Sequence, residues 1–139
     1  MDHAQGFLVN IDVPDLAAGE RFYTQAFALR VGRRFAEPWL ELIGGNAAIY
    51  LLEKKPGSAP APGAVARTYA RHWTPVHFDF LVPELDTAVQ RALAAGAKLE
   101  APADDAPYGK LALLSDPFGH GFCLIELNAQ GYDAIALAE

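Results

Sequence analysis

The chain has 139 residues, of which 52% are hydrophobic, a formal net charge of −6 and a single cysteine, Cys123. That is apolar material enough for a core, whereas halves of about 70 residues are marginal alone because small domains bury too little surface. The acidic balance argues against a nucleic-acid partner, which selects basic stripes, and one cysteine permits no internal disulfide.

The opening MDHAQGFLVNIDVPD lacks the basic and long apolar regions of a signal peptide, and no stretch reaches a membrane span. The expectation is a cytoplasmic soluble protein with neither a membrane nor a nucleic acid as partner. Segment 6–13 then alternates: Phe7, Val9, Ile11 and Val13 share one face, Leu8, Asn10 and Asp12 the other. This is the pattern of a strand. VPDL follows at 13–16, where Pro14 ends the strand and Asp15 suits the positive end of a helix dipole. A helix is predicted over 16–27, with Phe22, Tyr23, Ala26 and Phe27 as its apolar face. Strands follow over 30–35, 39–43 (WLELI) and 47–52 (AAIYLL).

Residues 54–74, KKPGSAPAPGAVARTYARHWT, begin rich in Pro, Gly and Ala and read as a linker or flexible flap. The pattern then starts again. VHFDFLV at 76–82 alternates, with His77, Asp79 and Leu81 on one face, and VPEL follows at 82–85. Leu85, Ala88, Val89, Ala92 and Leu93 fall on a helical stripe that Gly96 stops. Strands are predicted over 97–101, 110–114 and 121–127, with EAPADDAPYG read as a loop carrying Asp104 and Asp105. The tail, 128–139, offers a short terminal helix. Each half is therefore β-α-β-β-β, an internal repeat whose two copies complete one α+β domain over 1–139: module 1 about 6–53, module 2 about 75–127.

Tandem βαβββ units with V-x-[DE]-L after each first strand, and a D-P-x-G turn (SDPFGHG) before the last strand, resemble the vicinal oxygen chelate superfamily. That group includes glyoxalase I, extradiol dioxygenases and bleomycin- and fosfomycin-resistance proteins. The resemblance covers about residues 6–127 and implies a curved mixed sheet around a cup. Its metal enzymes place ligands on the first and last strand of each module. Those positions here are Leu8, Tyr50, His77 and Cys123. Leu8 has no donor, a phenol is a poor ligand at neutral pH, and the two remaining donors are too few for a magnesium, manganese or non-haem iron site. Glu53 and Glu126 lie three residues further along their strands, which reverses the face. The expectation is that no cofactor is bound, a divalent metal being the minor alternative.

Strand parity nominates the cup: Leu8, Asn10, Asp12, Ala48, Tyr50, Leu52, His77, Asp79, Leu81, Cys123 and Ile125, with Trp39 and Trp73 at its rim. This is mainly apolar with a few polar groups, as small-molecule pockets are. His77 and Asp79, at i and i+2, are the candidate proton-transfer pair, set against a structural role for a vestigial ligand. Cys123 is either a reactive thiol or a buried inert one, the second favoured. Arg67, Arg71 and His72 offer anion recognition or simple pairing with surface acids, and His120 reads as a turn residue. The leading reading is a metal-independent protein that binds a small, partly apolar or aromatic molecule as a homodimer, by sequestration or carriage, as in bleomycin resistance. The alternatives are a glyoxalase-like lyase, isomerase or dioxygenase, and a degenerate regulatory or interaction module.

Overall fold

A computed structural model describes residues 6–138. The chain divides into two compact units, one ending at Thr68 and the next starting at Tyr69, each a four-stranded mixed sheet with one long helix. Unit 1 holds β1 (Val9–Val13), α1 (Leu16–Phe27), β2 (Arg30–Arg34), β3 (Trp39–Ile43) and β4 (Ile49–Glu53), in sheet order β1-β4-β3-β2. Unit 2 holds β5 (Phe78–Leu81), α2 (Leu85–Ala95), β6 (Lys98–Ala106), β7 (Gly109–Ser115) and β8 (Gly121–Leu127), in order β5-β8-β7-β6. A 3₁₀ turn at Gly131–Ala134 follows, where the tail suggested a short helix.

In each unit the first and last strands run parallel and the others antiparallel. Asn10 lies beside Tyr50 in the one register and Asp79 beside Cys123 in the other. The helix-facing parity forms the cores: Ile11, Val13 and Leu51 are buried with Phe22 and Tyr23 in unit 1, and Phe122 and Leu124 with Leu85 and Val89 in unit 2.

The repeated tetrapeptide has a mechanical explanation. Asp15 caps α1 by accepting from Ala18 N at 2.8 Å, and Glu84 caps α2 by accepting from Thr87 N at 2.7 Å. A second carboxylate closes each helix start: Glu53 accepts from Leu16 N at 2.9 Å and Glu126 from Leu85 N at 2.8 Å. The first four helical N–H groups have no intrahelical partner, so both acids satisfy donors that the helix itself leaves open. Both glutamates thus point at the helices, as strand parity requires. Glu126→Ala is expected to lower stability by about 1–2 kcal/mol, the usual cost of losing such an acceptor, measured by urea unfolding.

Three expectations change. Asp104 and Asp105 belong to β6, not to a loop, because two register shifts let this Pro-containing edge strand keep pairing with β7 as far as Ala106. The first strand of each module is shorter than its alternation: Leu8 and His77 lie one residue before β1 and β5. The segment read as a flexible flap is tied down, since Gly57 N donates to Arg67 O and Arg67 N to Ser58 O, both at 2.8 Å. Arg67 Nε also reaches Asp12 Oδ2 at 2.8 Å, anchoring the segment to β1.

Candidate functional site

Unit 1 contains a cavity of about 630 Å³. One wall is aromatic. Phe35 and Trp39 stack with ring centroids 3.8 Å apart and planes 10° from parallel, and Tyr50 leans against Trp39 at 5.6 Å. Leu8 and Leu52 add apolar surface, and Asn10, Arg33 and Lys54 bring polar groups.

Behind the aromatic wall lies a network that alternation alone misses. Glu41 stands opposite Tyr50 in the β3–β4 register, its side chain 11% exposed. Arg33 clasps it with both arms, Nε to Oε1 at 3.1 Å and Nη2 to Oε2 at 2.6 Å, and the Arg33 backbone N–H adds a bond at 3.1 Å. The Tyr50 hydroxyl donates to Glu41 Oε2 at 3.0 Å and accepts from Arg33 Nη2 at 3.1 Å. A fork–fork pair of this kind fixes geometry as well as adding energy. Gly32 makes it possible, because a Cβ there would sit 2.5 Å from Glu41 Oε1.

The Arg33 guanidinium holds the Glu41 carboxyl down at about 2, and Glu41 in turn raises Arg33. A carboxyl lowered in the folded state contributes stability that is complete above its ordinary value of 4.5 and is lost as pH falls towards about 2. Glu41→Gln should therefore flatten the acid limb of the stability curve in that window, read from urea midpoints against pH. The Glu100 share, held at about 2 mainly by Arg71, should remain.

Unit 2 gathers different chemistry. His77 Nε2 and Asp79 Oδ1 are 3.4 Å apart, with side chains 40% and 39% exposed. One ligand atom from each of His77, Asp79 and Cys123 fits in a group whose members all lie within 4.8 Å of one another. Cys123 is 5% exposed; burial, then its hydrogen bond to Asp79 and that group's charge, push its thiol up to about 12. It is a protonated thiol at neutral pH and no nucleophile by itself. The Trp73 ring meets His77 edge-on at 5.6 Å.

The nominated residues thus part company. Leu8, Asn10, Trp39, Tyr50 and Leu52 line the unit 1 cavity. Asp12 is engaged by Arg67, and Ile125, 1% exposed, is interior rather than a pocket surface. Trp73 is committed to Arg71, whose guanidinium lies 4.5 Å from its ring centroid, and to Glu100, which accepts from its Nε1 at 3.0 Å. Arg71 also pairs with Glu100, while His72 Nδ1 lies 3.0 Å from Ala70 O. His120 is a turn residue whose backbone N–H donates to the buried Asp116 at 2.9 Å.

Residues 8–125 match the family described as "Glyoxalase-like domain". The chain belongs to the glyoxalase-like domain family. The tandem fold agrees with this membership in the vicinal oxygen chelate superfamily. The chain is 36% identical over 84 residues to the anthracycline biosynthesis protein DnrV of Streptomyces peucetius, a match over 58% of this chain and 29% of that one. It thus spans under a third of that relative's length. Among solved structures, a glyoxalase-related enzyme from Fulvimarina pelagi is similar with TM-score 0.70 and 22% identity, covering 91% of this chain and 94% of that one. The fosfomycin resistance protein FosX from Listeria monocytogenes gives TM-score 0.70 at 16% identity, over 93% and 98%. TioX from Micromonospora sp. ML1 gives 0.66 at 18%, over 90% and 100%.

The superfamily's metal set does not fit this glyoxalase-like chain. Leu8 offers no donor, and the Tyr50 hydroxyl is taken by Glu41 and Arg33. Glu53 and Glu126, the nearby carboxylates, serve the helix starts.

Proposed function

We propose that this glyoxalase-like protein binds a small, planar, partly aromatic molecule in the unit 1 cavity and holds it without chemical change, as a sequestering or carrier protein. The observation that carries the reading is the Phe35–Trp39–Tyr50 wall around a 630 Å³ space. That volume and lining suit an organic ligand stacked on rings and oriented by a few polar groups. Binding at this cavity calls for no metal, because stacking, burial and hydrogen bonds from Asn10 and Arg33 would hold the ligand. The relationship to an anthracycline biosynthesis protein supports a flat polycyclic ligand. A hydroxyanthraquinone is therefore the probe. It is expected to bind with one-to-one stoichiometry and to be recovered unaltered after prolonged incubation. Turnover of the probe would replace the reading with catalysis.

A second reading rests on the 3.4 Å His77–Asp79 pair, which is placed for proton transfer in a lyase, isomerase or dioxygenase. Turnover lost on His77→Ala, with a pH profile, would favour it. The interaction-module reading is the weaker, since a protein-docking role gives no reason for an aromatic-lined cavity. Our reading includes a cytoplasmic homodimer. The apolar exposure of Phe7, Val76 and Leu81 supports the dimer, and among the described residues no helix is long and apolar enough to cross a membrane.

A further inference from the structure

We propose that His77, Asp79 and Cys123 form a binding site for one borderline-soft divalent cation of the zinc class. This site draws all its donors from the unit 2 sheet, whereas the lining of the aromatic cavity comes from unit 1. His77 and Cys123 stand at two of the superfamily's four ligand positions, but the donor set differs from the superfamily's. Asp79 lies outside the four family positions, a thiol stands among the donors, and Leu8 and Tyr50 contribute nothing.

Geometry carries the proposal. In a tetrahedral site with bonds of roughly 2.0–2.3 Å, donors stand about 3.3–3.7 Å apart. His77 Nε2 and Asp79 Oδ1 already do, at 3.4 Å, and all three donors fall within 4.8 Å. Asp79 and Cys123 are register partners on the parallel strands β5 and β8, so two of the three donors are held by the ladder itself. His77, one residue before β5 and 40% exposed, has room to close the remaining distance. Partial exposure of His77 and Asp79 beside a buried sulfur leaves a fourth position for water, as in open three-ligand zinc sites.

The donor chemistry selects the ion. Magnesium and calcium take oxygen shells, which one carboxylate cannot supply, whereas thiolate, imidazole and carboxylate together suit zinc and cobalt. On loading, the Cys123 proton passes to buffer and Sγ coordinates as thiolate, so one proton leaves for each ion bound.

The test is titration of the chelator-stripped full chain with Co²⁺, followed by displacement with Zn²⁺. The expected result is one equivalent of Co²⁺ with tetrahedral d–d bands and a near-ultraviolet sulfur-to-cobalt charge-transfer band, both abolished by Zn²⁺. Cys123→Ser should remove the charge-transfer band. His77→Ala and Asp79→Asn should each weaken Zn²⁺ binding by at least the roughly tenfold to hundredfold that loss of even a supporting residue costs at metal sites. Near-UV circular dichroism and the urea midpoint establish that each variant is folded, and the exposed His77 keeps the test independent of the core. Co²⁺ binding without the charge-transfer band, or isotherms unchanged in both Cys123→Ser and His77→Ala, would overturn the proposal. Hydroxyanthraquinone binding should be the same in stripped and zinc-loaded protein, which separates this site from the cavity.

Discussion

Trp39→Ala is expected to weaken hydroxyanthraquinone binding by roughly 30- to 100-fold, about 2–3 kcal/mol, as for other buried aromatic anchors in a binding site. Three losses add. The ligand loses the indole face; Phe35, stacked on Trp39 at 3.8 Å, loses the ring that holds it flat; and Tyr50 loses its neighbour at 5.6 Å. Folding should suffer less than binding, because Trp39 lies at the start of β3 and is only partly buried, whereas Leu40 and Leu42 carry the strand's core contacts. Tyr50→Phe makes the useful contrast. It keeps the ring and removes a hydroxyl that bridges Glu41 and Arg33, so it should reduce affinity far less than Trp39→Ala while disturbing the Arg33–Glu41 ion pair. Isothermal titration of both variants, with circular dichroism as the control for folding, reads the two effects apart.

The largest expected effect on stability is at Gly109, where β7 begins. Its φ is +146°, and a Cβ there would lie 1.9 Å from the Glu126 carbonyl oxygen and 3.0 Å from Leu127 Cα. Both neighbours are backbone of β8, so neither can rotate away. Gly109→Ala must shift β8 near Glu126, whose carboxylate holds the first N–H of α2 at 2.8 Å. Strain and the broken contact together should cost about 2–4 kcal/mol. Gly57→Ala is the control. At φ +82° it shares the left-handed backbone, but no atom lies within 4 Å of its added Cβ, so only the conformational penalty of about 1–2 kcal/mol applies. The difference in urea midpoint between the two variants isolates the collision.

Much of the fold was legible because periodicity and punctuation agreed. WLELI and GFCLIEL form strands over the residues predicted, α1 occupies 16–27 as its apolar face suggests, and Gly96 ends α2 at φ +118°. The repeat was visible because the same strand-to-helix junction recurs, and the structure gives its purpose: Asp15 with Glu53, and Glu84 with Glu126, close equivalent helix starts. The β6 extension was hidden, since EAPADDAPYG is polar and carries prolines, and only pairing with β7 draws it into a sheet. The site was half legible. Parity identified Tyr50, Asn10 and Leu52, but it left Glu41 unmentioned, because a glutamate in a strand reads as solvated. It is buried only because the β2–β3 pairing brings Arg33 over it, and an arginine-rich strand beside a lone acid in an apolar one was the available signal. Asp79 was read as a partner for His77. Its place beside Cys123 depends on the parallel β5–β8 register, which no local pattern encodes.

The most direct test of the central claim is a calorimetric titration of chelator-treated protein with the hydroxyanthraquinone. Saturable one-to-one binding is expected in the absence of metal, retained in His77→Ala and Cys123→Ser and lost in Trp39→Ala. Binding that appears only when a divalent metal is restored, or that survives Trp39→Ala unchanged, would contradict it.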